Sequence, residues 1–71
     1  MRPLRQREII RGFRDLDWEG PFYRSDHPYM RKASKVVKIP NPDGSALSVP
    51  FIRQLLREAG ISVADWERVT Q

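Results

Sequence analysis

Hydrophobic positions recur at helical spacing near the start of the chain. Across residues 4–16, Ile9, Phe13 and Leu16 follow one another at intervals of four and three, so they share one face of a helix. Asp17 is predicted to follow the helix end, because Asp tolerates a left-handed backbone better than most residues. A second face of the same helix carries a row of arginines: Arg7, Arg11 and Arg14.

A second helix is predicted between Ser48, a good N-cap residue, and Gly60, a frequent C-terminal stop. Its apolar stripe is broad and is expected to face the core: Phe51, Ile52, Leu55, Leu56 and Ala59. A short third helix is expected to begin after Ser62, where Asp65 stands at the capping-box position. Trp66 on that helix then packs back on the core or lies at an interface.

Between the helices, the aromatic and β-branched residues favour three strands, over residues 18–24, 27–32 and 36–39. Gly20-Pro21 interrupts the first strand, and proline lacks the N–H that a central strand needs. The first strand is therefore predicted to lie at an edge or to contain a bulge. Ala33-Ser34-Lys35 is predicted as a turn, and residues 40–47 as a loop rich in Pro, Asn, Asp and Gly.

This order, α-β-β-β-α with a short terminal helix, predicts an α+β fold. Strands that follow one another through short turns form an antiparallel sheet, and flanking helices cover one of its faces. We expect a three-stranded sheet with two helices on one face and the other face open. With 71 residues there is room for one domain, residues 1–71, and one modest core.

Composition narrows the chemistry. The chain has no Cys and one His, which excludes a disulfide framework, a thiolate metal site and a zinc site of several histidines. No apolar run approaches the roughly 20 residues that span a bilayer, and no segment resembles a signal peptide. The expected location is the cytoplasm, with no membrane association, and no cofactor or metal is expected.

The positive charge is concentrated in two blocks. Residues 1–14 carry five Arg and one Glu, and residues 24–38 carry five Lys or Arg and one Asp. A basic surface attracts a polyanion, of which nucleic acid is the commonest in a cell. The alternative is that both blocks are solvated faces of a small protein.

His27, the single histidine, is the candidate for acid–base chemistry, because imidazole titrates near neutral pH. Together with nearby cations it suits RNA cleavage by internal attack of the 2′-hydroxyl, which needs only proton transfer and charge stabilisation at phosphorus. An ordinary surface histidine is the alternative. The acidic residues Asp15, Asp17 and Glu19 are a weaker candidate, for a metal site.

Three stretches together resemble the HicA (YcfA-like) family, in order and spacing, from about residue 5 onward. They are Ser25-Asp26-His27-Pro28-Tyr29-Met30, Ile39-Pro40-Asn41-Pro42, and Leu55 to Ser62 followed by Asp65-Trp66. The resemblance implies a double-stranded-RNA-binding-domain-like fold. It also implies the toxin of a type II toxin–antitoxin system, a small mRNA-cleaving endoribonuclease with His27 at the catalytic position. A HicB-type antitoxin would cover the active site; a homodimer is compatible with the sequence.

On this hypothesis His27 is the general acid or base of a metal-independent endoribonuclease. The phosphate-binding candidates are Lys32, Lys35, Lys38 and, secondarily, Arg24, with Tyr29 as a residue that stacks on a base. Ser25 and Asp26 stand where the family carries glycine. This departure supports the alternative of a non-catalytic RNA-binding module. A third alternative is an adaptor whose exposed aromatic residues would be Trp18, Tyr23 and Trp66.

Overall fold

The helices and strands follow the predicted order. The computed structural model describes residues 1–24, 27–40 and 44–70. The elements are α1 (Gln6–Asp15), β1 (Glu19–Tyr23), β2 (Pro28–Lys32), β3 (Lys35–Lys38), α2 (Val49–Ala59) and α3 (Val63–Val69). The α+β class is confirmed. The loop residues 41–43 and the pair 25–26 before His27 lie outside the described residues.

The sheet is antiparallel with the order β1-β2-β3, so β1 lies at an edge as predicted. Phe22 pairs with Tyr29, and the register shifts between Glu19 and Phe22. This irregularity coincides with Gly20-Pro21, because proline has no N–H to give to the ladder. The prediction that β1 lies at an edge or contains a bulge is therefore confirmed by its edge position, and the ladder is irregular at the predicted interruption.

The two faces of the sheet differ in burial. Met30 on β2 and Val37 on β3 form a cross-strand pair and are buried. α1 packs against β1 and α2 against β3. Since side chains alternate along a strand, the neighbouring Tyr29 and Arg31 point to the opposite face.

No described helix is long and apolar enough to cross a membrane.

Three aromatic rings form the centre of the core. Phe13 of α1 contacts Trp18 and Trp66 edge to face, with ring centroids 5.1 and 5.4 Å apart. Both tryptophans are buried, which contradicts the exposed aromatic surface of the adaptor hypothesis. Of its three residues only Tyr23 is exposed, at 70%.

The prediction that Phe51 faces the core is also wrong, because its side chain is 42% exposed. The buried face of α2 consists of Ile52, Leu55, Leu56 and Ala59. Each residue advances about 100° around a helix. Phe51 therefore points roughly 90° away from the centre of that face, and the apolar stripe is narrower than predicted.

The glycine inside α1 marks a close approach between helices. A Cβ atom at Gly12 would lie 2.7 Å from the Trp66 ring and 3.0 Å from Thr70 Cγ2. Glycine at this position lowers the stability of the helix by about 1 kcal/mol relative to alanine, but it allows α3 to pack closely against α1. Past the helix end, Asp17 has a φ of 69°, as predicted for this position.

The corner between α2 and α3 is built as the sequence predicts. Gly60 adopts the left-handed conformation with a φ of 73°. Its amide donates to the carbonyl of Arg57 at 3.2 Å, near the end of α2. Ser62 then caps α3, because its Oγ accepts a hydrogen bond from the Asp65 amide at 3.1 Å.

The N-terminal segment is tied to the rest of the domain. Leu4 and Leu47 exchange backbone hydrogen bonds of 3.3 and 2.7 Å. The Gln6 side chain donates to the Ile39 carbonyl at 2.9 Å, which joins the start of α1 to the end of β3. Glu8 holds the first turn of α1, because its carboxylate accepts the Arg5 amide at 2.9 Å.

This hydrogen bond from Arg5, assisted by the charge of Arg2, lowers the pKa of Glu8 below its ordinary value of 4.5. A lowered folded-state pKa contributes stability above the unfolded value, and that stability is lost as pH falls through the folded value. We expect Glu8→Gln to reduce the acid sensitivity of unfolding below about pH 4.5. Urea unfolding of both proteins at a series of pH values from 7 to 2.5 measures this effect. An equal loss of unfolding free energy with falling pH in both proteins would contradict it.

Candidate functional site

The open face of the sheet carries a depression of about 350 Å³. Its lining is cationic and aromatic: Arg24, His27, Tyr29, Arg31, Val36 and Lys38. Four of these six residues are site residues predicted from the sequence: Arg24, His27, Tyr29 and Lys38. The structure therefore brings the single histidine together with three positive side chains on one surface.

The register between β2 and β3 positions most of this lining. Tyr29 lies opposite Lys38, and Arg31 lies opposite Val36. Because these four residues are two apart along their strands, their side chains stand on the same face. His27 immediately precedes β2, and the strand start places it in the lining of the depression.

The histidine is half-buried, and one of its two ring nitrogens is fully enclosed. Nδ1 is buried and has no hydrogen-bond partner among the described residues. Proton exchange with a molecule in the depression therefore has to use Nε2. A ring with one buried and one usable nitrogen can act as a single acid or base toward a bound substrate.

Two arginines of this surface lie over aromatic rings. Phe22 and Tyr29 are cross-strand partners with ring centroids 5.3 Å apart. The guanidinium carbon of Arg31 lies 5.2 Å from the Phe22 centroid, and that of Arg24 lies 5.8 Å from the Tyr29 centroid. A base that stacks on Tyr29 therefore competes with Arg24. We call these four side chains the Arg–aromatic ladder.

Sequence reasoning missed Phe22, Arg31 and Val36 as members of this surface. The alternation around Met30 was the available signal, since a core position on β2 sends its two neighbours to the other face. Arg31 also lies 3.4 Å from Glu19, and both side chains are exposed. Arg24 and Lys38 form no ion pair among the described residues, so the lining of the depression keeps a net positive charge that attracts anions.

Lys32 and Lys35, predicted as phosphate ligands, do not line this depression. Each belongs to the core-facing set of its strand and donates a hydrogen bond to the end of a helix. Lys32 Nζ donates to the Leu16 carbonyl at 3.0 Å, and Lys35 Nζ donates to the Ala59 carbonyl at 3.4 Å. Both lysines therefore satisfy carbonyls at helix C-termini, where positive charge is favourable.

The weaker suggestion of a metal site at the end of α1 finds no geometric support. In residues 1–24, 27–40 and 44–70, no three His, Asp or Glu side chains converge into a group that could hold a metal ion. Asp15, Asp17 and Glu19 are all exposed.

No family profile, curated protein sequence or solved structure matches this chain.

Proposed function

We propose that this protein is a metal-independent endoribonuclease that cleaves mRNA, and that it is the toxin of a type II toxin–antitoxin system. The observation that carries the proposal is that His27 shares one open depression with Arg24, Arg31 and Lys38. A proton-transfer group beside several fixed positive charges is what internal cleavage of RNA requires. The resemblance to the HicA family supports the biological role.

In the proposed reaction, the 2′-hydroxyl oxygen attacks the adjacent phosphorus while a base removes its proton. The P–O5′ bond breaks, and an acid supplies a proton to the departing 5′-oxygen. The products are a 2′,3′-cyclic phosphate and a 5′-hydroxyl. Nε2 of His27 serves one of the two proton transfers, and water or Lys38 serves the other, because one imidazole cannot do both at once.

The positive side chains stabilise charge on the non-bridging phosphate oxygens. Arg24 and Arg31 suit this role, since guanidinium groups bind phosphate through two donors at once. The contacts of the Arg–aromatic ladder favour these positions before substrate arrives, which reduces the entropy lost on binding.

A HicB-type antitoxin is the proposed partner. It would be acidic at its contact surface and would cover the depression, so that RNA cannot enter. This role implies a cytoplasmic location, where mRNA is translated. The double-stranded-RNA-binding-domain-like fold type belongs to the same proposal.

The test is to incubate wild-type protein and His27→Ala, purified in the same way, with a long single-stranded RNA in EDTA. Cleavage by the wild type alone, leaving 2′,3′-cyclic phosphate ends, supports the proposal. A 2′-O-methyl RNA of the same sequence is the substrate control, because it lacks the attacking hydroxyl and should stay intact. Equal cleavage by both proteins would contradict a His27-centred reaction.

The second candidate is an RNA-binding module of the same fold without activity. Asp26, which stands directly before His27 in the stretch where the family carries glycine, favours it. This candidate predicts that neither protein cleaves RNA, while binding remains strong at low salt and weakens at high salt. Restored cleavage in Asp26→Gly would then identify the lost feature.

Two lysine variants test which surface binds RNA. Lys38→Gln removes a charge from the depression, and Lys32→Gln removes one from the helix-facing side. We expect Lys38→Gln to lower the slope of log affinity against log salt by about 0.7, the loss of one phosphate contact. Lys32→Gln should leave that slope unchanged and reduce the free energy of unfolding by about 0.5 kcal/mol.

Fluorescence anisotropy with labelled 2′-O-methyl RNA measures the salt dependence, and urea unfolding measures the stability. Because both substitutions remove one charge, any effect of net charge appears in both variants. A larger binding loss in Lys32→Gln than in Lys38→Gln would contradict the assignment of the open face.

A further inference from the structure

The exposed side of α1 carries a second basic surface, separate from the depression around His27. Arg7, Arg11 and Arg14 line a shallow groove on this helix together with Ile10 and Asp15. All three arginines are exposed. At about 100° per residue, they lie on the side of α1 roughly opposite Ile9 and Phe13, which face the core. We call them the α1 arginine row.

Repulsion within the α1 arginine row opposes helix stability, although Arg14 lies in the last turn of α1, where positive charge is favourable. Like charges three and four residues apart on a helix repel by about 0.2–0.5 kcal/mol per pair. Among the described residues, none of the three arginines forms an ion pair. Asp15 is the one acidic side chain in the groove. A feature that opposes stability in this way is typical of a binding surface.

The composition of the row indicates what it binds. A protein partner needs an apolar centre for its interface, and the groove offers only the half-buried Ile10. Guanidinium groups alone, repeated along about 10 Å of helix, suit a chain of phosphates, each of which accepts two parallel hydrogen bonds. Contacts of this kind bind nucleic acid without reading its sequence.

We infer that the α1 arginine row is a second nucleic-acid-binding surface, which takes the phosphodiester backbone. Helix α1 covers the core-facing side of the sheet, so this surface lies on the far side of the molecule from His27. One RNA segment can then be held on α1 while another enters the depression. The inference does not depend on whether His27 cleaves RNA.

The test compares two double variants of the full chain that remove the same charges at the same spacing. Arg7→Gln/Arg11→Gln alters the α1 arginine row, and Arg53→Gln/Arg57→Gln alters two exposed positions of α2. Glutamine keeps helix propensity close to that of arginine. The probes are 2′-O-methyl RNA and DNA single strands of 20 nucleotides, neither of which undergoes internal cleavage.

For the α1 double variant we expect the slope of log affinity against log salt to fall by about 1.4 on both probes, as for two lost phosphate contacts. The α2 double variant should keep the wild-type slope. Equal slopes in the wild type and the α1 variant would overturn the inference, and so would equal losses in both variants, which indicate net charge alone. A fall on RNA but not on DNA would overturn backbone recognition.

Cleavage is followed separately on a six-nucleotide RNA, which is too short to occupy both surfaces. We expect the α1 double variant to cleave it at the wild-type rate, if the wild type cleaves it. Absence of cleavage by the wild type, combined with the slope change on α1, would defeat the proposed ribonuclease and leave the α1 surface standing. Slower cleavage of this short RNA by the α1 variant would count against two separate surfaces.

Discussion

Replacing His27 by alanine is expected to slow RNA cleavage by about 10²–10⁴-fold, the range that one acid–base group contributes. RNA affinity should change little, because Arg24, Arg31 and Lys38 still hold the phosphates. The free energy of unfolding should also change little. The ring is only half-buried, and its removal leaves no described hydrogen-bond partner unsatisfied. Initial cleavage rates at saturating protein, fluorescence anisotropy with labelled 2′-O-methyl RNA, and urea unfolding measure the three effects.

Two further measurements separate proton transfer from a change of shape. Added imidazole should partly restore cleavage by His27→Ala, because the cavity left by the ring admits a free base. Val36→Ala removes apolar volume from the same depression without touching a titratable group, and should retain most of the activity. A loss of activity in Val36→Ala as large as that in His27→Ala, with no rescue of His27→Ala by imidazole, would contradict proton transfer by His27. It would indicate that cleavage depends on the shape of the depression.

Replacing Trp66 by alanine is expected to cost about 3–5 kcal/mol, the typical loss for a large buried aromatic side chain. Trp66 is fully buried and contacts Phe13 edge to face across the α1–α3 boundary. A domain of this length has about 4–11 kcal/mol of total stability, so the variant should be close to unfolding at room temperature. Urea unfolding followed by circular dichroism measures the difference.

Trp66→Phe is the matched variant, because it keeps a ring while it removes the indole N–H. That nitrogen is buried and has no hydrogen-bond partner among the described residues. Removing an unsatisfied donor recovers about 1–3 kcal/mol of desolvation penalty, which offsets part of the lost volume. We therefore expect Trp66→Phe to be much less damaging than Trp66→Ala. A loss in Trp66→Phe as large as that in Trp66→Ala would contradict this expectation.

The fold could be predicted from the sequence where local chemistry and global packing agree. Gly60 and Ser62 mark helix ends by rules that act over three or four residues, and the structure confirms both. Phe51 could not be predicted correctly, because hydrophobicity alone does not tell which apolar residue lies at the margin of a stripe. The sequence is compatible with either an exposed or a buried position for Trp18 and Trp66. Both are buried in the structure because they pack around Phe13.

Only part of the site could be predicted, because the sequence does not specify which face of a strand a residue occupies. His27 and Lys38 lie on the strand face that the structure leaves open. Lys32 and Lys35 were grouped with them because basic residues cluster along the chain. A strand reverses its side-chain direction at every residue, so sequence proximity does not specify a face. The two-residue turn at Ala33-Ser34 sets this register, one residue shorter than the turn predicted.

The edges of the sheet bear on how the protein behaves at high concentration. On β1, Pro21 offers no N–H, and the register shift between Glu19 and Phe22 interrupts the ladder that a further strand would extend. On β3, the strand is four residues long and carries lysine at each end. A strand from a second copy therefore finds a poor pairing surface on either side. Concentrated solutions should resist fibril formation, and any self-association should leave the sheet three strands wide.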